Sequence, residues 1–385
     1  MKTIAVFFGG ASPEHEISVL TGIQAYFAID KNTFSVIPVF VDLDGQMYTG
    51  KNITETKNYK NKEKLLAAAI KISLAKDGKQ IVLLAKKALG SKKTPIDCAF
   101  LAFHGAYGEG GSFQGYCETL GIPYTSSNVL GASLAMDKFS MKKIFENEGI
   151  PSAKYHVVIE KDFIADKNKT LQEIEKNIHY PLFVKPSNGG SSIGVSQAKN
   201  IQELTHALEV AFMFDAKVLI EEAFAKDAEV NISFMGIWND DVDHSVSEEV
   251  YSDAEFLDFE NKYQKGAQSK KTTSGSKGMA STNRHIPAEI SNELLAKLTH
   301  DGEKAFRLLN CAGVVRIDFL VNKKTEEYVL VEVNTIPGSF AYYLWEKSGI
   351  SFDKLTTKMI DLAFKKHSMQ QQKTRKFSPQ IFKNL

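Results

Sequence analysis

The chain has 385 residues with 43% hydrophobic content, enough for two or three cores. Its 47 Lys and Arg balance 46 Asp and Glu, which argues against a field that recruits nucleic acid or an anionic membrane. No apolar run is long enough to span a bilayer, and Cys98, Cys117 and Cys311 lie far apart in apolar contexts, as reduced core thiols of a cytoplasmic protein do.

MKTIAVFFGG carries too short an apolar run for a signal peptide and leads into an acidic EHE, so it reads as a first strand. EISVLTGIQAYFAI has helical spacing, and SVIPVFV and DCAFLAF read as strands. This alternation predicts a parallel sheet covered on both faces, with binding loops at the strand ends GGASPEHE and HGAYGEGG. Lys62 to Lys93 is lysine-rich and weakly patterned, and is expected to be a surface excursion. A second segment starts near Asp137, where KFSMKKIFENEG predicts a helix closed by Gly149 with Pro151 beyond it. Strands YHVVI, LFVKP and KVLIEEA follow, with a helix at NIQELTHALEVAF. A third segment runs from AEVNISFMG through a long polar loop and a helix to VVRIDFLV and YVLVEVN, a hairpin that fits an antiparallel sheet. SFDKLTTKMIDLAF predicts a last helix, and the basic tail from Lys366 is expected to be disordered.

In VKPSNGGSSIG, Lys185 ends an apolar strand and a loop rich in glycine and serine follows. Such a loop can wrap phosphate oxygens, although it lacks the helix-opening Gly-Lys-Ser/Thr of a P-loop. A plain turn remains the alternative. In RID and EVN the spacing of two puts Arg316 with Asp318, and Glu332 with Asn334, on one face of each strand. These are hard oxygen donors suited to Mg²⁺, beside a guanidinium that can steady a phosphoryl group or an oxyanion. Their apolar flanks favour a bound cation over a solvated face or a structural ion pair.

Taken together and in order, GGASPEHEIS, FHGAYGEGGSFQGYCETLGIPYTSS, VLGASLAMDK, VKPSNGGSSIGVS, VLIEE, FENKY, RIDFLV and EVNTIPG resemble the ATP-grasp ligases, and within them the D-alanine–D-alanine ligases. The resemblance covers roughly Lys2 to Phe364. It implies three α/β domains enclosing ATP. These are a parallel-sheet substrate domain (1–136), a central α+β subdomain (137–223) and an antiparallel-sheet subdomain with the metal site (224–366), followed by a tail (367–385). It further implies a homodimer, two Mg²⁺ ions for which Mn²⁺ can substitute, and amino-acid substrates.

By the same resemblance, Glu14 would hold the ammonium of the first D-alanine, with His104 nearby. Lys138, Lys185 and Ser192 would contact ATP phosphates. Glu221, Glu222 and Phe224 fall on the adenine-linking stretch, and Glu229 on the ribose carboxylate. Ser191, Glu14 and Tyr263 would share hydrogen bonds, while Lys262 and Tyr263 would sit on a closing loop within Tyr251 to Arg284. Asp318, Glu332 and Asn334 would bind the metal, and Arg316 with Gly338 would stabilise the tetrahedral centre. From the residues alone, His104 could instead be a backbone-bonded strand-end histidine, Glu14 a helix cap and Lys138 an ordinary first-turn lysine.

Two positions depart from the family pattern. Gly108-Glu109-Gly110-Gly111 stands for Gly-Glu-Asp-Gly. Tyr343, followed by Leu344 in the acceptor site, stands where similar ligases place a serine on the second substrate's carboxylate. The alternatives are therefore a ligase with a different acceptor, or a nucleotide-binding homologue without ligation.

Overall fold

The computed structural model describes residues 1–86, 90–250 and 284–373. KTIAVFFG forms β1 (Lys2–Gly9), in which Ile4 to Phe8 are fully buried. Burial on both faces is what a central parallel strand requires. β1 pairs in parallel with β2 (Phe34–Val41) and β7 (Cys98–Leu101).

The sheet does not stay parallel. It has seven strands in the order β6-β5-β4-β3-β2-β1-β7, and β3 (Met47–Thr49), β4 (Ile70–Asp77), β5 (Gln80–Lys86) and β6 (Ser91–Ile96) join it antiparallel. The stretch expected as an excursion is therefore a helix, Lys62–Ala68, and three strands. Ile72 and Leu74 alternate inward, with Lys71 and Ser73 outward. β4 is paired on both sides, by β3 and β5, and its solvent-facing lysines masked the period of two.

The second sheet is antiparallel, in the order β10-β9-β11-β8, from β8 (Tyr155–Ile159), β9 (Leu182–Pro186), β10 (Ser196–Ala198) and β11 (Lys217–Glu222). The third is also antiparallel, in the order β14-β13-β12-β15-β16, from β12 (Ala228–Ile237), β13 (Val242–Val250), β14 (Arg284–His285), β15 (Ala312–Asn322) and β16 (Glu327–Asn334). The helix Asn292–Leu308 covers one face of it, packing Leu294, Leu298 and Phe306 with Val230, Ile232, Ile317 and Val333.

Side chains alternate along each strand, so the other face collects the polar residues. The register aligns Glu248 with Asn231, Asn231 with Asp318, and Asp318 with Glu332, one row across four strands. Arg316 lies opposite Asn334 in the next row.

The last helix, Phe352–Gln371, continues past Lys366 into the expected tail. Lys366 is buried there, donating to the Ser126 carbonyl at 2.6 Å and lying 3.8 Å over the Tyr124 ring. No helix breaker follows Ala363, so the helix runs on against the first sheet. The expectations for Lys262, Tyr263 and the loop around them, and for the tail beyond 373, lie outside the described residues.

Candidate active site

Glu14 ends the loop after β1, and the helix His15–Ala28 starts behind it. Its side chain does not cap that helix. It is 7% exposed and accepts the hydroxyl of Ser191 from the glycine loop. A Cβ added at Gly190 would lie 2.7 Å from Glu14 Oε2 and would push the carboxylate aside. Ser191 and Ser192 hold left-handed backbone, with φ of 51° and 60°. Serine rarely adopts it, and such strain concentrates at functional sites.

His104 follows β7 and is buried. Its Nε2 lies 2.8 Å from Thr21 Oγ1, and that hydroxyl also accepts the Ser339 N–H at 3.3 Å. Thr21 thus bridges the imidazole and the Ser339 backbone. Burial, reinforced by Arg316, lowers the His104 pKa to about 4. The histidine links the first sheet to the turn around Gly338 through Thr21, and it is also hydrogen-bonded to the Ile336 backbone, as the backbone-bonded alternative expects.

That turn explains the aromatic run after EVNTIPG. Ser339, Phe340 and Ala341 are consecutively left-handed, with φ of 51°, 56° and 49°, at roughly 1–2 kcal/mol each. Phe340 packs edge-on to Phe100 of β7 at 5.2 Å, and Trp345 donates to Ser233 Oγ at 2.9 Å. Both rings are about 1% exposed, so they are anchors that hold the strained turn in place.

On the third sheet Arg316 grips Asp318 with two bonds of 2.7 Å, from Nε and Nη2. Asn334 Nδ2 donates to Asp318 Oδ2 at 2.9 Å, which fixes the amide orientation. Glu332 stands directly across from Asp318. Burial first, then the carboxylates of Glu332 and Glu229, hold the Asp318 carboxyl above its ordinary range against the pull of Arg316. Among the described residues no three His, Cys, Asp or Glu side chains gather into a metal site; the donor set here is two carboxylates and an amide. Opposed carboxylates on adjacent strands repel, and a hard divalent cation relieves that repulsion, so these donors fit Mg²⁺.

One cavity joins these parts. It is lined by Glu14 and His104 from the first sheet's loops, and by Lys138 and Ser191 beside the second sheet. The third sheet and its turn contribute Glu229, Arg316, Glu332, Asn334 and Gly338. Lys138 opens the helix Lys138–Glu148 and its ammonium reaches the Gly189 carbonyl of the glycine loop.

The remaining expected residues are not in this lining. Lys185 is paired with Glu221, which also meets Lys142 at 2.7 Å. Burial opposes ionisation of Glu221, but the two ammoniums prevail and lower its pKa to about 2. Glu222 accepts the His179 N–H at 2.9 Å, and Phe224 is half-buried beside it. Leu344 is wholly buried, with its carbonyl taken by Ser348 at 2.8 Å. Tyr343 donates to Glu248 at 2.7 Å.

The structure adds residues that sequence reasoning missed. Glu109 accepts N–H groups from Gly105 at 2.8 Å and Ile336 at 3.3 Å, tying the His104 loop to the Gly338 turn. Burial and then Glu14 push its carboxyl well up. Its place in GEGG was available as a signal. Asn231, Glu248 and Arg284 also line the cavity, and nothing in the polar run SVSEEV distinguished Glu248.

A glycine loop, a cross-strand oxygen set and three sheets around one cavity define an ATP-grasp ligase fold. Residues 3–127 match the model for the N-terminal part of D-ala D-ala ligases, and residues 144–361 that for the C-terminal part. The chain belongs to the D-alanine–D-alanine ligase family. It is 36% identical to the D-alanine–D-alanine ligase of Thermosipho melanesiensis, over 95% of this chain and 94% of that one. It is 32% identical to the enzyme of that name from Bacillus velezensis, over 94% and 98%. Among solved structures it is similar to the VanG D-Ala:D-Ser ligase of Enterococcus faecalis, with a TM-score of 0.77 and 28% identity over 94% of this chain and 99% of that one. It is also similar to the D-alanine–D-alanine ligase of Helicobacter pylori, with a TM-score of 0.71 and 26% identity over 93% and 98%.

Proposed function

We propose that this protein is a D-alanine–D-alanine ligase, joining two D-alanines with consumption of ATP to give D-alanyl-D-alanine for peptidoglycan synthesis. The observation that carries this is the shared cavity, in which the Glu14–Ser191 pair faces Arg316, Glu332 and Asn334. An acidic pocket suits an ammonium, and a guanidinium beside oxygen donors suits phosphoryl transfer.

A carboxylate does not react with an amine until it gains a leaving group. One carboxylate oxygen of the first D-alanine attacks the γ-phosphorus, ADP leaves, and an acyl phosphate results. Glu14 holds the ammonium of that residue and orients its carboxylate. Lys138, which lines the cavity, offsets charge on the phosphates; by the family resemblance Ser192 of the glycine loop and Lys185, once released from Glu221, would join it. Asp318, Glu332 and Asn334 would hold Mg²⁺, two ions with Mn²⁺ able to substitute, which would neutralise charge on the transferring group. The second D-alanine then attacks the acyl carbon through its neutral amine. Arg316 and the backbone at Gly338 stabilise the oxyanion, and as the amide forms the phosphate departs with the proton that the amine nitrogen releases. Neutral His104 positions the Gly338 turn through Thr21.

Residues 1–136, 137–223 and 224 onward are the three units of this reading. Among the described residues no helix is long and apolar enough to cross a membrane. A cytoplasmic homodimer, drawing on cellular ATP, completes the proposal. The curated relatives carry the D-alanine–D-alanine name, so another acceptor is the weaker reading. Screening pairs of D- and L-amino acids for ATP-dependent phosphate release, with product masses, tests it. D-alanine alone is expected to support turnover and give the dipeptide; turnover restricted to other pairs would refute it.

A further inference from the structure

Glu248 is 1% exposed and lies in the same cross-strand row as Asp318 and Glu332. Its oxygens are heavily engaged. Oε1 accepts the Tyr343 hydroxyl at 2.7 Å and the Asn231 amide at 3.2 Å, and Oε2 accepts Arg284 Nη1 at 2.8 Å. A buried carboxylate taking three donors is poorly placed to act as a base or to capture an amine, but it fixes the groups that donate to it. Arg284 is held on a second side as well, because its Cζ lies 4.6 Å from the centroid of the Tyr343 ring. Tyr343 is raised well above the ordinary phenol range by burial and then by Glu248, so its hydroxyl remains a donor.

Arg284 and Arg316 both line the cavity, with Gly338. Arg316 commits Nε and Nη2 to Asp318. The acceptor of a peptide-forming reaction brings its own carboxylate, which must leave water and find strong donors. Tyr343 stands where similar ligases have a serine, yet its hydroxyl is directed to Glu248.

We propose that Glu248, Tyr343 and Arg284 form an acceptor-carboxylate clamp: Glu248 orients the guanidinium, the Tyr343 ring supports it, and Arg284 recognises the carboxylate of the second amino acid. This rests on the ligase reading above. The serine-to-tyrosine departure then exchanges a hydroxyl contact for a guanidinium held on an aromatic platform. A guanidinium matches a carboxylate in a planar fork that a lysine does not reproduce.

The test is a competition between D-alanine and D-alaninamide as acceptors, with D-alanine as donor, reading by mass the ratio of the acid dipeptide to its amide. The full-length wild type is expected to favour the acid. Arg284→Met and Glu248→Gln should each shift the ratio toward the amide by about tenfold or more, the loss of a charge-assisted hydrogen bond. Arg284→Lys should recover part of it and provides the reading if Arg284→Met gives no product. A purely structural role would lower the melting temperature and leave the ratio fixed, and an unchanged ratio in Glu248→Gln and either Arg284 variant overturns the clamp. Absence of any dipeptide from the wild type would remove the ligase reading itself, and the clamp with it.

Discussion

Ser191 donates its hydroxyl to Glu14 across 177 residues of sequence, joining the glycine loop to the loop after the first strand. Both groups face the cavity, so the pair can hold an ammonium and also register one sheet against another. Ser191→Ala is expected to raise the apparent KM for the first D-alanine about tenfold, and Glu14→Gln nearer a hundredfold, the range for hydrogen bonds to charged groups. Initial rates at saturating ATP give both values. A rise in the ATP KM alone would place the pair elsewhere in the reaction.

His104 titrates well below an ordinary histidine, at about 4. Its unfolded value is the ordinary 6.5, so between these the unfolded chain binds more protons. The stabilisation is therefore complete above pH 6.5 and lost as pH falls toward 4. A shift of this size corresponds to about 3 kcal/mol at most. Urea unfolding at a series of pH values should show His104→Gln less acid-sensitive than wild type by about that amount. Parallel curves would mean that His104 is protonated as readily folded as unfolded.

Glu221 is placed by the resemblance on the adenine-linking stretch, yet its side chain neutralises Lys142 and Lys185. The Lys142 side chain is 1% exposed. Removing the carboxylate leaves buried ammoniums unpaired, which typically costs about 3–5 kcal/mol. Glu221→Gln should therefore lower unfolding free energy by roughly 3 kcal/mol, measured by urea titration without nucleotide. A stable variant with weak ATP binding would instead make the side chain a nucleotide contact.

Glu332→Gln and Asp318→Asn are expected to reduce turnover at least a thousandfold while the fold persists, because they remove coordinating charge and little packing. ADP release and circular-dichroism melting report the two effects separately. Because Asp318 also anchors Arg316, Asp318→Asn should be the less stable of the two. Near-normal turnover in either variant would move the metal site elsewhere.

The oxygen set was legible because RID and EVN alternate with apolar neighbours, and a period of two leaves one geometry when the strands pair. Glu14 and Ser191 were legible as residues, but their hydrogen bond spans separate sheets and no local pattern encodes it. The strands between Ile70 and Ile96 were missed because solvent-facing lysines interrupt the hydrophobic count. Glu248 and Arg284 were missed for a related reason: polar residues on a polar strand face look solvated until the register brings them together. The left-handed turn at Ser339 to Ala341 contains no glycine, so nothing in its composition announced the backbone it adopts.

Oxygen transfer tests the acyl phosphate most directly. D-alanine labelled with ¹⁸O in its carboxylate is supplied with ATP and Mg²⁺, and the released phosphate is examined by ³¹P NMR while the product is weighed by mass spectrometry. One labelled oxygen in the phosphate for each D-alanyl-D-alanine formed is the expected result. Unlabelled phosphate, or phosphate released without dependence on D-alanine, would contradict it.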